Sequence, residues 1–244
     1  MRLRVDEFRP RAGRYAFRVV QPRPALRHTT LSDPMRGWGH LVGDHDGLAR
    51  LAGLFSFAAY SPHTVVHVPL RRSVPRDHAP GVPVDLVLAH QSLGLRPSVW
   101  PALRRGLTQG VPRTVRTDER RTARHGSAWE ERWERRWDRL PRADRIQLAV
   151  HARTLFLSGA RDTFAAASLQ LGRAAGHGPL DKGAGKGYDV LGASLTTLLP
   201  LSGGRGTGDG AGHRLPGVLA PGPLQAAGAA SQASTPDSSF SLTS

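Results

Sequence analysis

The chain of 244 residues contains no cysteine. This absence excludes disulfide bonds, thiolate metal sites and cysteine nucleophiles, and nothing in the sequence indicates an oxidising compartment. Long apolar runs are also missing. The most apolar stretch, Leu48 to Tyr60, includes Arg50 and is too short to span a bilayer, and no apolar signal segment follows the first residues. We therefore expect a soluble cytoplasmic protein.

Acidic residues and lysine are scarce. The 34 Lys and Arg stand against 19 Asp and Glu, which gives a formal net charge of +15; Lys182 and Lys186 are the only lysines, so 32 of the bases (34 − 2) are arginine. Guanidinium groups fit phosphate, so the excess favours a nucleic-acid partner. A GC-rich coding sequence produces the same bias, and a basic surface without a dedicated partner is the competing interpretation.

Residues 1–107 carry short strand patterns. Alternating apolar residues within 2–20 predict a pair of strands with a basic solvent face. The β-branched segments 63–70 and 84–90 are apolar on both faces, which predicts strands that are covered on both sides. Since helical patterns lie between and after these strands, we expect an α/β or α+β fold with a small sheet.

Helical patterns in the same part of the chain have recognisable ends. The apolar run from Leu48 predicts a buried helix, with Asp44 or Asp46 as its N-terminal cap. A second helix is expected to start at Pro97 or Pro101 and to end near Gly106. Two segments rich in glycine, or in proline and threonine, are expected to be irregular: 21–34 and 37–46.

The remainder of the chain divides by composition into three parts. Residues 108–126 are highly charged and predict a basic linker or arm. Residues 127–201 contain helical periodicity, with Ser127 as the expected cap of a first helix and a break at Leu140-Pro141, which predicts a helical hairpin or bundle. Residues 202–244 are rich in Gly, Pro, Ala and Ser, and we expect a disordered tail.

Three tryptophans recur at intervals of four residues in the first of these helices: Trp129, Trp133 and Trp137. That spacing places the indoles along one helical face. Because each indole buries a large apolar area, the stripe predicts core packing or a subunit interface, and a homo-oligomer formed through this helix is a possible consequence.

One cluster of residues has the chemistry of a metal site: His40, Asp44, His45 and Asp46. Imidazole and carboxylate groups are ligands for zinc, manganese or iron, and a loop before a helix can bring them together. On the strand that follows, His63 and His67 project from one face and could add ligands. The same carboxylates are also ordinary helix caps. No cofactor is identified, because the glycine-rich segments lack the spacing of a phosphate-binding loop.

The leading functional hypothesis is a non-enzymatic binding or interaction protein that contacts nucleic acid through clustered arginines. The arginines expected at that interface are Arg104, Arg105, Arg113, Arg116, Arg120, Arg121 and Arg124. The alternative is a metal-dependent, hydrolase-like enzyme that uses the His/Asp cluster at 40–46. A third possibility is a protein that works only through its helical interface. The sequence indicates no substrate or sequence preference.

Overall fold

The computed structural model describes these parts of the chain: 1–13, 15–35, 38–71, 82–136, 141, 145–176, 192–194 and 201–202. Their strands are β1 (Arg2–Phe8), β2 (Arg11–Ala12), β3 (Tyr15–Ala16), β4 (Arg18–Pro22), β5 (Thr29–Met35), β6 (Trp38–Gly43), β7 (Thr64–Val68), β8 (Val82–Pro83), β9 (Asp85–His90), β10 (Val111–Arg116), β11 (Ile146–His151), β12 (Thr154–Gly159), β13 (Gly192–Ser194) and β14 (Leu201–Ser202). Their α-helices are α1 (His45–Ala59), α2 (Trp100–Arg105), α3 (Glu119–Arg136) and α4 (Arg161–Gly176). Two short 3₁₀ segments, Gln91–Leu93 and Pro97–Val99, precede α2.

The main sheet has the strand order β10-β1-β4-β7-β9-β12-β11-β14. Strands β4 and β7 are parallel, β9 is antiparallel to β7, and β12 is parallel to β9. The C-terminal ends of β4 and β7 therefore lie beside the N-terminal ends of β9 and β12. A smaller sheet has the order β13-β6-β5-β8. The mixed α/β fold class is confirmed.

Helices α1 and α4 cover one face of the main sheet, which we call the α1 side. Helix α1 begins where Asp44, one of the two predicted caps, accepts a hydrogen bond from the Gly47 N–H (2.8 Å). Phe55 of α1 meets Phe164 of α4 edge to face, with ring centroids 5.9 Å apart. Helix α3 packs outside them against α4. This face holds the larger apolar core, which includes the inward valines and leucines of β1, β7 and β9.

Helix α2 covers the opposite face, which we call the α2 side. Trp100 and Leu103 are fully buried there against one apolar residue from each of the four central strands: Val19, Val65, Val87 and Phe156. Strands β7 and β9 are therefore covered on both sides, as their continuous apolar sequences predict. The helix predicted near Gly106 is confirmed in the short α2.

The helical prediction for residues 127–201 is wrong over 146–159, which form the hairpin β11-β12. Ala152 and Arg153 both have positive φ angles, +48° and +56°, as a two-residue hairpin turn requires. Strand β12 then pairs with β9 and buries its apolar residues in the sheet. Short apolar runs fit both strand and helix periods, and the pairing with β9 decides between them.

The first helix of that part starts earlier than predicted. Helix α3 begins at Glu119, and Asp118 caps it by accepting a hydrogen bond from the Arg121 N–H (3.0 Å). Ser127 lies inside α3, so the predicted capping box does not form. Residues 119–126 form a helix despite their high charge because Thr122 and Gly126 are buried against the neighbouring helices.

Three segments predicted as linker or irregular structure are strands: β5, β6 and β10. Strand β5 pairs with β6, and β10 pairs with β1, so backbone pairing overrides weak local propensity in each case. Strands from both sides of the predicted 108–126 linker join the main sheet. Apart from Ser202, the predicted tail at 202–244 lies outside the described residues. No helix within the described ranges has the length and apolarity needed to cross a membrane.

Candidate functional site

A cleft of about 700 Å³ opens on the α2 side of the main sheet, beside the C-terminal ends of β4 and β7. Its polar lining consists of Gln21, His67, Arg71, Asp85, Arg104 and Arg153. The remaining lining residues are apolar: Ala25, Pro69, Pro83 and Leu107. The cleft therefore joins three arginines to one aspartate, one histidine and one amide.

The strand register brings these residues together. Val20 pairs with Val66 in the parallel pair β4-β7, so Gln21 lies beside His67. His67 pairs with Val87 across β7-β9, and Asp85 is two residues from Val87 on the same face. Three consecutive strands thus each supply one polar side chain to the same patch of the sheet.

Asp85 is the fixed centre of the cleft. Its side chain is 3% exposed. Its Oδ1 accepts a hydrogen bond from the Arg71 backbone N–H (3.1 Å), and its Oδ2 accepts one from Arg71 Nε (2.8 Å). Burial alone raises the pKa of this carboxyl, but the contacts with His67 and Arg71 outweigh burial and hold the pKa below its usual value. Asp85 is therefore ionised at neutral pH.

Arg104 approaches the same carboxylate less closely. Its Nη2 lies 3.6 Å from Asp85 Oδ2, which is an ion pair beyond hydrogen-bond distance. The Arg104 side chain is 37% exposed, against 22% for Arg71. Arg71 is thus anchored by two hydrogen bonds, whereas Arg104 keeps donors that a ligand could use.

The hairpin turn between β11 and β12 supplies the third arginine. The backbone N–H of Asp85 donates to the carbonyl of Arg153 (3.0 Å), which attaches the turn to the start of β9. Arg153 is exposed and lines the cleft. Three arginines and one aspartate give the lining a charge of +2 when His67 is neutral, and this charge favours an anionic ligand.

His67 is buried beside Asp85. Gln21 Nε2 lies 2.8 Å from His67 Nδ1, and the imidazole meets the Trp100 indole edge to face, with ring centroids 4.9 Å apart. Burial lowers the pKa of His67, although Asp85 partly opposes this effect. With the Gln21 amide donating to Nδ1, the imidazole proton lies on Nε2. Within the described part of the chain Nε2 has no hydrogen-bond partner, and it lies 3.8 Å from Asp85 Oδ2.

The structure places the sequence-predicted interface arginines on two sides of the main sheet. Arg104 and Arg105 belong to α2, and Arg116 lies on the α2 side of β10, because it pairs with Arg2. The others lie elsewhere: Arg113 pairs with the inward-facing Val5, and Arg120, Arg121 and Arg124 belong to α3. Arg121 also lies over the ring of Tyr60, 4.5 Å from its centroid.

The predicted metal ligands have other roles where the structure describes their side chains. Asp44 caps α1, His45 Nδ1 lies 2.8 Å from the Ala175 carbonyl oxygen, and Asp46 pairs with Arg50 at 3.7 Å. The side chain of His40 is outside the described set. No group of three or more metal-ligating side chains occurs among the described residues. The metal-dependent enzyme stays a prediction that this geometry does not favour.

Two of the three tryptophans pack inside the chain. Trp129 is 4% exposed and lies against Ala166 of α4, and Trp133 is half-buried and stacks on it with ring centroids 5.4 Å apart. Trp137 lies outside the described residues. Core packing by Trp129 is therefore confirmed, and the subunit interface stays a prediction.

Sequence reasoning missed most of the cleft. The sequence predicts His67 only as an additional metal ligand and Arg104 only as a nucleic-acid contact. It gives no role to Gln21, Arg71, Asp85 or Arg153. The available signal was Asp85, the single acidic residue in the apolar strand that ends at His90. A charged residue inside a buried strand requires partners, and these partners mark the site.

No family model, curated protein or solved structure matches this chain.

Proposed function

We propose that the protein is a non-enzymatic nucleic-acid-binding protein whose interface is the α2 side of the main sheet. The observation that carries the proposal is the position of three arginines next to the cleft: Arg2, Arg4 and Arg116, which we call the edge arginines. Arg2 and Arg4 lie on the same face of β1 as Asp6, which pairs with Gln21 of the cleft. Arg116 lies directly opposite Arg2.

The edge arginines extend the positive charge of the cleft along the sheet. All three are exposed, and none has an ion pair or hydrogen bond from its side chain within the described residues. Adjacent strands are about 4.8 Å apart, so the three strand spacings from β10 to β7 cover about 14 Å. A backbone that carries several phosphates could contact the edge arginines and the cleft together.

The facing pair Arg2 and Arg116 supports a role in anion binding. Like charges directly opposite each other on adjacent strands destabilise a sheet. A polyanion bound across the pair would remove this repulsion, and release of its counterions would favour binding. The arginines of α3 lack this relationship to the cleft, since α3 packs on the α1 side.

The test compares two triple variants with the same change in charge. The first replaces the edge arginines (Arg2→Ala, Arg4→Ala, Arg116→Ala), and the control replaces three exposed arginines of α3 (Arg120→Ala, Arg124→Ala, Arg135→Ala). Labelled single-stranded DNA, single-stranded RNA and duplex DNA are titrated at about 50 and 200 mM salt. Removing three phosphate contacts should lower the slope of log K against log salt by about 2 for a single strand.

The proposal predicts that the wild-type protein and the control triple bind with the same steep salt dependence, and that the edge triple loses affinity and slope. Absence of binding at the lower salt concentration contradicts nucleic-acid binding. Loss of the slope in the control triple alone places the interface on α3 and contradicts the surface proposed here.

A further inference from the structure

A second cavity lies next to the cleft and shares one residue with it. This side cavity of about 510 Å³ is lined by Trp100, Pro101, Arg104, Arg105 and Ala152. Three of its five lining residues are apolar, whereas six of the ten residues that line the cleft are charged or polar. Arg104 lines both cavities, so they adjoin each other. A single ligand with one polar and one apolar end could therefore occupy both.

Each cavity is lined by one aromatic residue with a buried ring nitrogen that has no hydrogen bond in the part of the chain that the structure describes. Among the described residues, His67 Nε2 beside the cleft and Trp100 Nε1 beside the side cavity have no partner. The side chain of His67 is 4% exposed, and Trp100 is 0% exposed. Buried polar groups are nearly always paired, so these two nitrogens lack the partner that such a group usually has.

We infer that the cleft and the side cavity together bind a phosphate monoester of a planar group, such as a nucleoside 5′-monophosphate, with the phosphate in the cleft and the base in the side cavity. The charge of the lining, +2, matches a monoester dianion better than a diester monoanion. Arg71 is held in place by Asp85, while Arg104 and Arg153 supply exposed donors for the phosphate oxygens.

The same chemistry could come from a free nucleotide or from the 5′-phosphorylated end of a nucleic acid. For the second source the inference rests on the proposed function, because the edge arginines would then bind the rest of the strand. The first source does not depend on it. The experiment must therefore measure the small ligand and the polymer separately.

The first arm uses calorimetry on the full chain with adenosine 5′-monophosphate, adenosine and inorganic phosphate as probes. The inference predicts that the monophosphate binds at least about tenfold more tightly than either fragment, because it occupies both cavities. Arg104→Ala and Arg153→Ala should each weaken it by about tenfold or more, as expected when a charge-assisted hydrogen bond is lost. Arg120→Ala, which removes the same charge from α3, should leave the affinity unchanged.

Arg153 is the more secure test of the two, since it is exposed and its side chain makes no described hydrogen bond. The second arm compares a 5′-phosphorylated single strand with the same strand ending in a hydroxyl. Tighter binding of the phosphorylated strand, lost in Arg153→Ala, supports capture of a strand end. If the monophosphate binds but the protein has equal affinity for the two strands, the cavities are assigned to the free nucleotide.

The inference is overturned if the monophosphate fails to bind at millimolar concentration, or if Arg120→Ala weakens it as much as Arg153→Ala does. This outcome is distinct from failure of the proposed function. Loss of polymer binding with intact monophosphate binding contradicts the nucleic-acid proposal and leaves the nucleotide site standing. Intact polymer binding without monophosphate binding contradicts the nucleotide site and supports nucleic-acid binding through the edge arginines.

Discussion

Asp85 accepts two hydrogen bonds from Arg71, one from the backbone N–H and one from Nε. Arg71 follows β7 by three residues, and Asp85 is the first residue of β9. This contact links the segment after β7 to the start of β9, and it also holds the Arg71 side chain in the cleft. The stability of the sheet and the proposed ligand site therefore depend on the same carboxylate.

Asp85→Asn should lower the free energy of unfolding at pH 7 by about 3 kcal/mol, because Arg71 and Arg104 lose their buried counter-ion. The folded-state pKa of Asp85 is lowered, so its contribution is complete above the unfolded value of about 3.9 and is lost as the pH falls through the folded value. Urea unfolding at pH 7, 4 and 3 should show the difference from the wild type narrowing below pH 4.

The exposed residue Asp46 provides the control for this change. Asp46→Asn removes a weak surface pair with Arg50 and a negative charge in the first turn of α1, and it should lower the free energy of unfolding by about 1 kcal/mol or less. A cost for Asp85→Asn as small as that for Asp46→Asn would show that the carboxylate does not hold the two arginines.

His67 should make stability depend on pH in a different range. Burial lowers its pKa, so the unfolded chain binds a proton below about pH 6.5 that the folded chain does not bind. Stability should therefore decrease as the pH falls from about 6.5 toward the folded-state pKa of His67. His67→Gln removes this dependence, which thermal unfolding between pH 5 and 8 would detect.

The exposed His151 serves as the comparison for His67. His151→Gln makes the same change of residue at an exposed position of β11 and controls for the substitution itself. His90, whose pKa is also lowered by burial and then by the charge of His63, is retained in both variants, so a smaller dependence remains. An unchanged pH profile in His67→Gln would contradict a neutral buried imidazole at position 67.

Two glycines in neighbouring helices should respond in opposite directions to the same substitution. A Cβ on Gly126 of α3 would lie 2.9 Å from the backbone oxygen of Ala165, whereas a Cβ on Gly172 of α4 would have no atom within 4 Å. Gly126→Ala should therefore destabilise the protein by separating α3 from α4. Gly172→Ala should stabilise it by up to about 1 kcal/mol through helix propensity. Urea unfolding of the two variants gives the sign of each effect.

The elements with strong local signals could be predicted from the sequence. Patterns within a few residues predict the buried strands β7 and β9, a cap of α1 at Asp44 or Asp46, and a short helix that ends near Gly106. The start of α3 could not be predicted in this way, because Gly126 and Thr122 are buried by other helices in a segment that is otherwise charged. The β11-β12 hairpin was missed because its apolar residues match two periods.

The cleft depends on information that is not local. Gln21, His67 and Asp85 belong to three strands that are separated along the chain by other elements, and only the register of β4, β7 and β9 makes them neighbours. The same holds for Arg2 and Arg116, which are far apart in the sequence and become neighbours only because β1 pairs with β10. The sequence alone shows that arginines are abundant, and the sheet determines which of them share a surface.

Trp129 should contribute much more to stability than Trp133. Trp129 is buried against Ala166 of α4, so Trp129→Ala should cost about 3 to 5 kcal/mol in the free energy of unfolding. Trp133 is half-buried, and its truncation should cost clearly less. Urea unfolding measures both costs, and sedimentation of the Trp133→Ala variant tests whether this helix also forms a subunit interface. Equal costs would contradict the packing of Trp129 against α4.

The turn of the β11-β12 hairpin stores backbone strain that a substitution can relieve. Ala152 has a φ of +48°, a conformation that costs about 1 kcal/mol or more for an alanine and that asparagine adopts more readily. Ala152→Asn should therefore stabilise the protein by up to about 1 kcal/mol, whereas Ala152→Val, with a β-branched side chain, should destabilise it. Thermal unfolding of both variants checks the pair. If Asn and Val shift the midpoint in the same direction, the turn does not hold residue 152 in the left-handed region.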